Sequence, residues 1–237
     1  MHELIQGFDW ILNPVHWSGP DGIPSRLFQQ VSLSFSAIVL ASLIAIPVGL
    51  LVGHTRRGEV TTVQVANIGR SVPSLAIMAL AFLAAVYLFP SFAFGFLPTL
   101  VALTLLGIPP ILVNTYVGIQ QVDADTVEAA RGMGMSGRQV LFGLEVPLAT
   151  PLIMTGLRLA AVTIVATATL SALIAGGTFG RYIVDGYANQ QIPKVVGGSI
   201  LIAALAILTD ALFSLLRRAT APRLSSESRR GHAAPSA

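Results

Sequence analysis

Long apolar segments constrain this chain more than any other feature of its sequence. A helix rises roughly 1.5 Å per residue, so a segment of about 20 apolar residues can cross a hydrocarbon core of about 30 Å. Five segments meet this requirement, at residues 30–53, 63–89, 96–119, 148–175 and 195–216. Backbone polar groups inside a bilayer must be paired within the protein, which favours helices. The sequence therefore predicts an all-α, polytopic membrane protein with five transmembrane helices.

The composition agrees with a membrane protein. Of the 237 residues, 54% are hydrophobic and 11% are charged, whereas roughly a quarter are charged in soluble domains. The chain has no cysteine, and its four histidines are scattered on segments predicted to lie at the surface. It has no phosphate-binding loop, HExxH motif or catalytic Ser/His/Asp arrangement. We therefore expect no catalytic residue, no cofactor and no metal in this chain, and no nucleic acid as a partner.

Arginine is distributed unequally between the two sides of the five-segment arrangement. On one side lie Arg56, Arg57, Arg131, Arg138, Arg217, Arg218, Arg223, Arg229 and Arg230. The other side has Arg26, Arg181 and Lys194. Cytoplasmic loops carry the excess of basic residues in membrane proteins. This pattern predicts an N-terminus outside the cell and a cytoplasmic C-terminus.

The two ends of the chain differ from its apolar middle. Residues 1–25 place Leu4 and Phe8 on one face of a helix and polar residues on the other, which predicts an external amphipathic segment. It either lies on the membrane surface or packs onto the outer ends of the spans. Residues 26–218 are predicted to form one membrane domain. Residues 219–237, rich in Ala, Pro, Ser and Arg, are predicted to be a disordered cytoplasmic tail.

The one long polar stretch, residues 123–151, lies between the third and fourth apolar segments. Two residue pairs in it have the spacing of a capping box: Asp125 with Glu128, and Ser136 with Gln139. Glycines between the two pairs are expected to stop one helix and allow a turn before the next. The stretch therefore predicts two short helices that project into the cytoplasm.

Seven residues of this stretch form an extended pattern. They are Glu128, Ala129, Ala130, Gly134, Leu144, Val146 and Pro147. The pattern resembles the EAA loop of ABC importer permeases, with Leu144 where Ile is usual and Val146 where Leu is usual. Glu128 alone would also suit a helix N-terminus because of the helix dipole, but this does not explain the glycine and proline spacing. The resemblance implies the type I ABC importer permease fold and a coupling loop, residues 123–147, that contacts ATPase subunits.

The resemblance extends into the spans. Four segments are similar to permeases for quaternary-ammonium osmoprotectants: residues 70–76 (RSVPSLA), 109–119 (PPILVNTYVGI), 166–170 (ATATL) and 176–180 (GGTFG). In the last segment, Thr178 and Phe179 depart from the family's usual residues. We expect this glycine-rich segment to be a flexible external turn.

The resemblance implies a permease subunit that imports glycine betaine, carnitine or choline across a prokaryotic cytoplasmic membrane. Its expected partners are a second permease subunit (a copy or a homologue), two cytoplasmic ATPases that hold ATP and Mg²⁺, an extracytoplasmic substrate-binding protein, and membrane lipid. One alternative is an importer of the same architecture for another small solute, such as an amino acid of the methionine kind. A channel-type membrane protein is a second alternative, but a channel does not require an ATPase-docking signature.

Residues that interrupt the helical spans, or that place polar side chains in them, are candidates for the translocation pathway. Pro109 and Pro110 remove two backbone donors, and such a break either lines a wet cavity or packs as a kink. The further candidates are Asn114, Thr115, Tyr116, Thr163 and Thr167. Threonines also serve the packing of one span on another, so both roles are open for them.

Three charged residues fall inside the predicted spans, namely Arg70, Arg158 and Asp210. A charge at this depth is costly and is usually paired or exposed to a cavity. Arg158 and Asp210 lie at similar depths in the fourth and fifth spans, which predicts a buried ion pair between them, with Arg70 as a second candidate partner. We favour a structural clamp over a proton relay for this pair.

Overall fold

The computed structural model describes residues 2–58, 62, 64, 67, 69 and 71–217 in full, and the backbone of residues 218–220. Every regular element in this part of the chain is helical, which confirms the all-α class. The α-helices are α1 (His2–Leu12), α2 (Ile23–Thr55), α3 (Ser74–Leu88), α4 (Phe96–Gln120), α5 (Ala124–Gly132), α6 (Gly137–Val140), α7 (Val146–Thr167), α8 (Gly180–Ala188) and α9 (Ile192–Thr220). Short 3-10 helices lie at Pro14–Trp17, Pro90–Phe92 and Ala168–Ile174, and a π-helical turn lies at Leu141–Glu145.

The described residues contain four helical stretches that are long and apolar enough to cross a membrane. These are Ile23–Thr55, Phe96–Gln120, Gly137–Ile174 and Ile192–Arg217. The shorter α3, with 15 residues, is also apolar. It covers the second half of the predicted second span, and much of the first half, including Arg70, lies outside the described residues. The structure thus has the multi-pass architecture that the sequence predicts.

The centre of the bundle is formed where α2, α4 and α7 pack against one another. Small residues allow this close approach. A Cβ added at Gly49 of α2 would lie 2.8 Å from the Cβ of Thr115 in α4, and one added at Gly156 of α7 would lie 2.8 Å from the Cβ of Asn114. Small residues at such contacts let helix backbones approach within a membrane. These helices therefore meet with little room for larger side chains.

A buried polar cluster joins α2, the end of α7 and the glycine-rich segment 176–180. Gln30 is fully buried, and its side chain donates to the Val165 carbonyl (2.8 Å) and accepts from the Phe179 N–H (3.2 Å). The hydroxyls of Ser171 and Thr178 lie 2.8 Å apart. The segment is a turn, as predicted, but it is mostly buried, and its glycines serve close packing instead of standing free of the bundle.

The N-terminal helix α1 packs on the first turns of α9. A Cβ added at Gly7 would meet the Val196 Cγ1 at 2.5 Å, so the two helices touch at their backbones. Packing on the end of a span was one of the two arrangements that the sequence left open. Trp10 completes the contact, with its ring 5.0 Å from that of Tyr182 in α8. Burial raises the pKa of Tyr182 to about 12.

The second short helix of the polar stretch is continuous with the fourth span. α6, the π-helical turn, α7 and the following 3-10 helix form one helical run, Gly137–Ile174, instead of a span that begins at residue 148. The π-helical turn ends two residues before Pro147. Proline lacks a backbone N–H, so a locally widened turn next to it avoids a broken i to i−4 ladder. The second half of the polar loop is therefore an extension of the fourth span.

Candidate coupling loop and translocation pathway

The first half of the loop is the helix α5, which carries the Glu-Ala-Ala triplet. Asp123 occupies the N-cap position, and its carboxylate accepts a 2.9 Å hydrogen bond from the Thr126 hydroxyl. The predicted capping box of Asp125 with Glu128 is wrong, because the helix begins at Ala124. Glu128 therefore lies in the second turn of α5, with its side chain exposed.

The end of α5 explains the spacing between the triplet and the glycine of the pattern. Gly134 has a φ of +90°, which glycine adopts without steric cost. Its N–H donates to the Arg131 carbonyl (2.9 Å), and the Met135 N–H donates to the Ala130 carbonyl (3.2 Å). These two bonds form a Schellman motif, with Gly134 at the left-handed position just past the helix. The spacing from Ala130 to Gly134 is thus the geometry of a helix stop.

The second half of the loop begins at Ser136, the N-cap of α6. The Gln139 side-chain oxygen accepts from the Ser136 N–H at 2.8 Å, as the predicted capping box requires. Val140 is fully buried, while Leu144 and Val146 are half-buried and Pro147 is exposed. Val140, which is not part of the pattern, is thus the residue of this half that is buried most completely, and the aliphatic residues of the pattern are buried in part.

Part of the loop faces away from the rest of the chain. Glu128, Ala129 and Arg131 are exposed, and Met133 is 79% exposed at the tip. The sequence-based reasoning missed Met133. The sequence does mark this residue, because it is a large apolar residue in a polar turn, immediately before the glycine with the left-handed backbone conformation. With the exposed Glu128, Ala129 and Arg131, it gives the loop a mixed polar and apolar face that no described residue of this chain covers.

A cavity of about 750 Å³ lies between the end of α2 and α5. We call it the loop cavity. It is lined by His54, Thr55, Arg56, Arg57, Ala124, Val127, Glu128, Arg131 and Glu145. His54 Nδ1 lies 2.6 Å from Glu145 Oε2, and both side chains are largely buried. The prediction that His54 lies at the surface is wrong, because α2 continues to Thr55 and the loop folds back over its end.

A second cavity, of about 480 Å³, lies halfway along α4 and α7. We call it the mid-bundle cavity. Its lining combines the residues before α3 with parts of α4 and α7: Gly69, Ser71, Val72, Pro73, Ser74, Leu106, Pro109, Pro110, Leu159 and Thr163. Among these residues none is charged. Leu159 and Thr163 are exposed on the surface of the single chain, so the cavity is open on that side.

The structure brings together three of the seven predicted pathway residues at the mid-bundle cavity, namely Pro109, Pro110 and Thr163. The others lie elsewhere. Thr115 and Tyr116 are buried at the contact of α4 with α2, and Thr167 is half-buried at the end of α7.

Asn114 is half-buried, and its side-chain nitrogen donates to the Pro110 carbonyl at 2.8 Å. Of the seven, the two prolines and Thr163 are therefore the strongest candidates to line a pathway.

Arg158 of α7 and Asp210 of α9 lie side by side. Arg158 Nε is 2.6 Å from Asp210 Oδ1, and Nη2 is 2.7 Å from Oδ2. This is the bidentate geometry that gives arginine–carboxylate pairs their strength. In the single chain the two side chains are 30% and 42% exposed. The pair therefore lies on the flank of the bundle and not inside it, and Arg70 lies outside the described residues.

Comparison with curated proteins finds transport permeases along most of the chain. It is 32% identical over 197 residues to the choline transport system permease protein OpuBB of Bacillus subtilis (strain 168), covering 83% of this chain and 88% of that protein. It is 32% identical over 206 residues to the carnitine transport permease protein OpuCB of Listeria monocytogenes, covering 87% of this chain and 91% of that protein.

The fold matches a chain of the MetNI methionine ABC transporter in an inward-facing conformation. The TM-score is 0.73 at 20% identity, covering 82% of this chain and 94% of that chain. This chain therefore has the type I ABC importer permease fold. Residues 27–226 match the family described as "Binding-protein-dependent transport system inner membrane component". The chain belongs to this family of inner membrane components of binding-protein-dependent transport systems.

Proposed function

We propose that this chain is the transmembrane permease subunit of an ATP-driven importer of quaternary-ammonium osmoprotectants, such as glycine betaine, carnitine and choline. The observation that carries the proposal is the loop of α5 and α6, in which the Glu-Ala-Ala triplet, the Schellman glycine and an exposed Met133 form one projecting surface. The substrate class rests on relatives at 32% identity that are named for choline and carnitine transport.

The mid-bundle cavity is the proposed pathway of this subunit. Its hydroxyl groups and prolines carry no charge, and a pathway must bind a solute weakly enough to release it. The described residues of its lining offer no fixed counter-charge that would trap a zwitterion or a single quaternary ammonium. The cavity is open where Leu159 and Thr163 are exposed, so a second permease subunit, either a copy or a homologue, closes it.

The partner subunits supply the free energy for transport. Two cytoplasmic ATPases bind ATP and Mg²⁺ and receive the loop of each permease, while this chain itself binds no cofactor and has no catalytic residue. Closing of the ATPase pair moves the loops together, and the spans tilt from inward-open to outward-open. An extracytoplasmic binding protein delivers the substrate. The N-terminus lies outside the cell, and the loop and C-terminus lie in the cytoplasm, as the arginine distribution predicts.

The test is uptake by proteoliposomes that contain the permease complex, with the co-encoded binding protein outside and ATP inside. We expect ATP-dependent uptake of labelled glycine betaine, carnitine or choline, and competition among them, with no uptake of methionine. Uptake of methionine alone would assign the chain to the alternative amino-acid substrate class. Uptake that proceeds without ATP would contradict an ABC importer and favour the channel alternative.

A further inference from the structure

The end of α2 and the coupling loop are joined by a hydrogen bond at the floor of the loop cavity. His54 lies in the last turn of α2, and Glu145 is the last residue of the π-helical turn. His54 Nδ1 and Glu145 Oε2 lie 2.6 Å apart, and their side chains are 19% and 6% exposed. The two residues are 91 positions apart in sequence. The contact therefore connects the first span with the loop that follows the third.

The EAA pattern does not explain Glu145. It occupies the position between Leu144 and Val146 at which the pattern accepts any residue. A carboxylate this deeply buried is costly unless it is paired and hydrogen-bonded. A small or apolar residue would fill the position without that cost. The geometry thus indicates that the pair has a role of its own.

His54 also lies against the beginning of α6. A Cβ added at Gly137 would lie 3.5 Å from His54 Nε2. One imidazole therefore lies close to the first residue of α6 and is hydrogen-bonded to the residue before α7. Because Gly137–Ile174 is one helical run, holding it at these two places fixes the direction in which it leaves the loop.

We propose that His54 and Glu145 are positioning residues that tie the coupling loop to the first span, so that movement of the loop is delivered to α2 as well as to α7. This inference rests on the proposed importer function. Without the pair, movement of the loop would be transmitted mainly to α7, the span with which it is continuous. With the pair, α2 and α7 move as one unit, and α4, which packs between them, is carried along.

The experiment compares variants in the assembled complex with its ATPases. Glu145→Ala and His54→Ala remove the contact, Glu145→Gln keeps an acceptor of the same shape, and the exchanged pair His54→Glu with Glu145→His restores it in reverse. The matched control is His16→Ala, which removes a histidine at the opposite end of the bundle, stacked 4.2 Å from Trp10. The readouts are substrate taken up per ATP hydrolysed and the mobility of a spin label on the loop.

The label is attached at Arg138→Cys, which is exposed and is the only thiol of this chain because the parent has no cysteine; the ATPases are used in cysteine-free form. All variants carry it, so each is compared with the labelled parent. We expect the two alanine variants to lower uptake per ATP at least about fivefold and to make the label more mobile. Glu145→Gln, the exchanged pair and His16→Ala should keep both readouts close to those of the parent.

A pair that serves only stability would behave differently. Uptake and ATP hydrolysis would then fall in proportion, leaving uptake per ATP unchanged, and this result would overturn the inference. Alanine variants with an unchanged spin-label signal would also overturn it. If the parent complex shows no ATP-dependent uptake, the importer function fails, but label mobility still decides whether the pair holds the loop.

Discussion

At the scale of single residues, Gly134 is the position on which the coupling loop depends most directly. Its φ of +90° puts the Met135 N–H within reach of the Ala130 carbonyl and ends α5. No atom lies within 4 Å of the place where a Cβ would be. The requirement for glycine is therefore conformational and not a matter of space. Gly132, two residues earlier, is equally open but lies within the helix.

These two glycines provide a matched pair of substitutions. Gly134→Ala should destabilise the loop by about 1–2 kcal/mol, because a side chain disfavours the left-handed region. Gly132→Ala should stabilise α5 by roughly 0.5–1 kcal/mol, since alanine is the better helix former. Co-purification of the ATPases and ATP-dependent uptake should fall for the first variant and hold for the second. Equal behaviour of the two would mean that the turn at Gly134 does not shape the docking surface.

The sequence predicts several of these residues because their contacts are local. Gly134 follows from its place between two short helices, and Gln139 from its three-residue spacing to Ser136. His54 and Glu145 are different. Their contact depends on α2 continuing to Thr55 and on the loop folding back over it. The pattern of apolar and polar residues within either segment does not show that the two segments meet.

At the scale of elements, helices are held to one another by a few polar contacts within apolar packing. Arg158 and Asp210 join α7 to α9 with two charge-assisted hydrogen bonds. Similar depth in two spans was enough to predict the partners. The burial was not predictable, because it depends on which flank of the bundle each helix presents. The burial of the glycine-rich segment 176–180 was not predictable for a related reason. Glycine occurs both in flexible turns and where backbones pack closely, and the sequence does not separate the two.

The Arg158–Asp210 contact is testable by a double-mutant cycle. Arg158→Leu and Asp210→Leu should each lower the unfolding temperature of the detergent-purified permease, because each leaves one charge without its partner at membrane depth. The double variant should regain part of that loss, since it leaves no unpaired charge. Thermal unfolding of the four proteins measures the coupling. Strictly additive shifts would contradict a stabilising pair.

At the scale of the whole molecule, the two ends of the bundle have different constructions. One end carries α1 and α8, packed on the first turns of α9 through Gly7 and Tyr182. The other end carries the coupling loop and the loop cavity, with three arginines on its lining. The side of the membrane that each end faces stays a prediction from the arginine distribution. The number of spans, by contrast, is seen only in part, since much of residues 59–70 lies outside the described residues.

The orientation of the chain is testable with single cysteines, because the parent has none. Ser18 and Arg138 are both exposed and lie at opposite ends of the bundle. In intact cells a membrane-impermeant thiol reagent should label Ser18→Cys and spare Arg138→Cys, following the positive-inside rule. Permeabilised cells should give labelling of both. The reverse pattern in intact cells would place the coupling loop outside and contradict an ATPase-driven importer.

The continuity of the coupling loop with the fourth span has a mechanical consequence. A helical run of 38 residues is roughly 55 Å long, so a tilt of about 5° displaces its far end by about 5 Å. That displacement is comparable to the width of a trimethylammonium group. In the proposed importer the run would act as a lever arm, and a small rotation imposed at the ATPase would be amplified to the size of one substrate molecule at the opposite face.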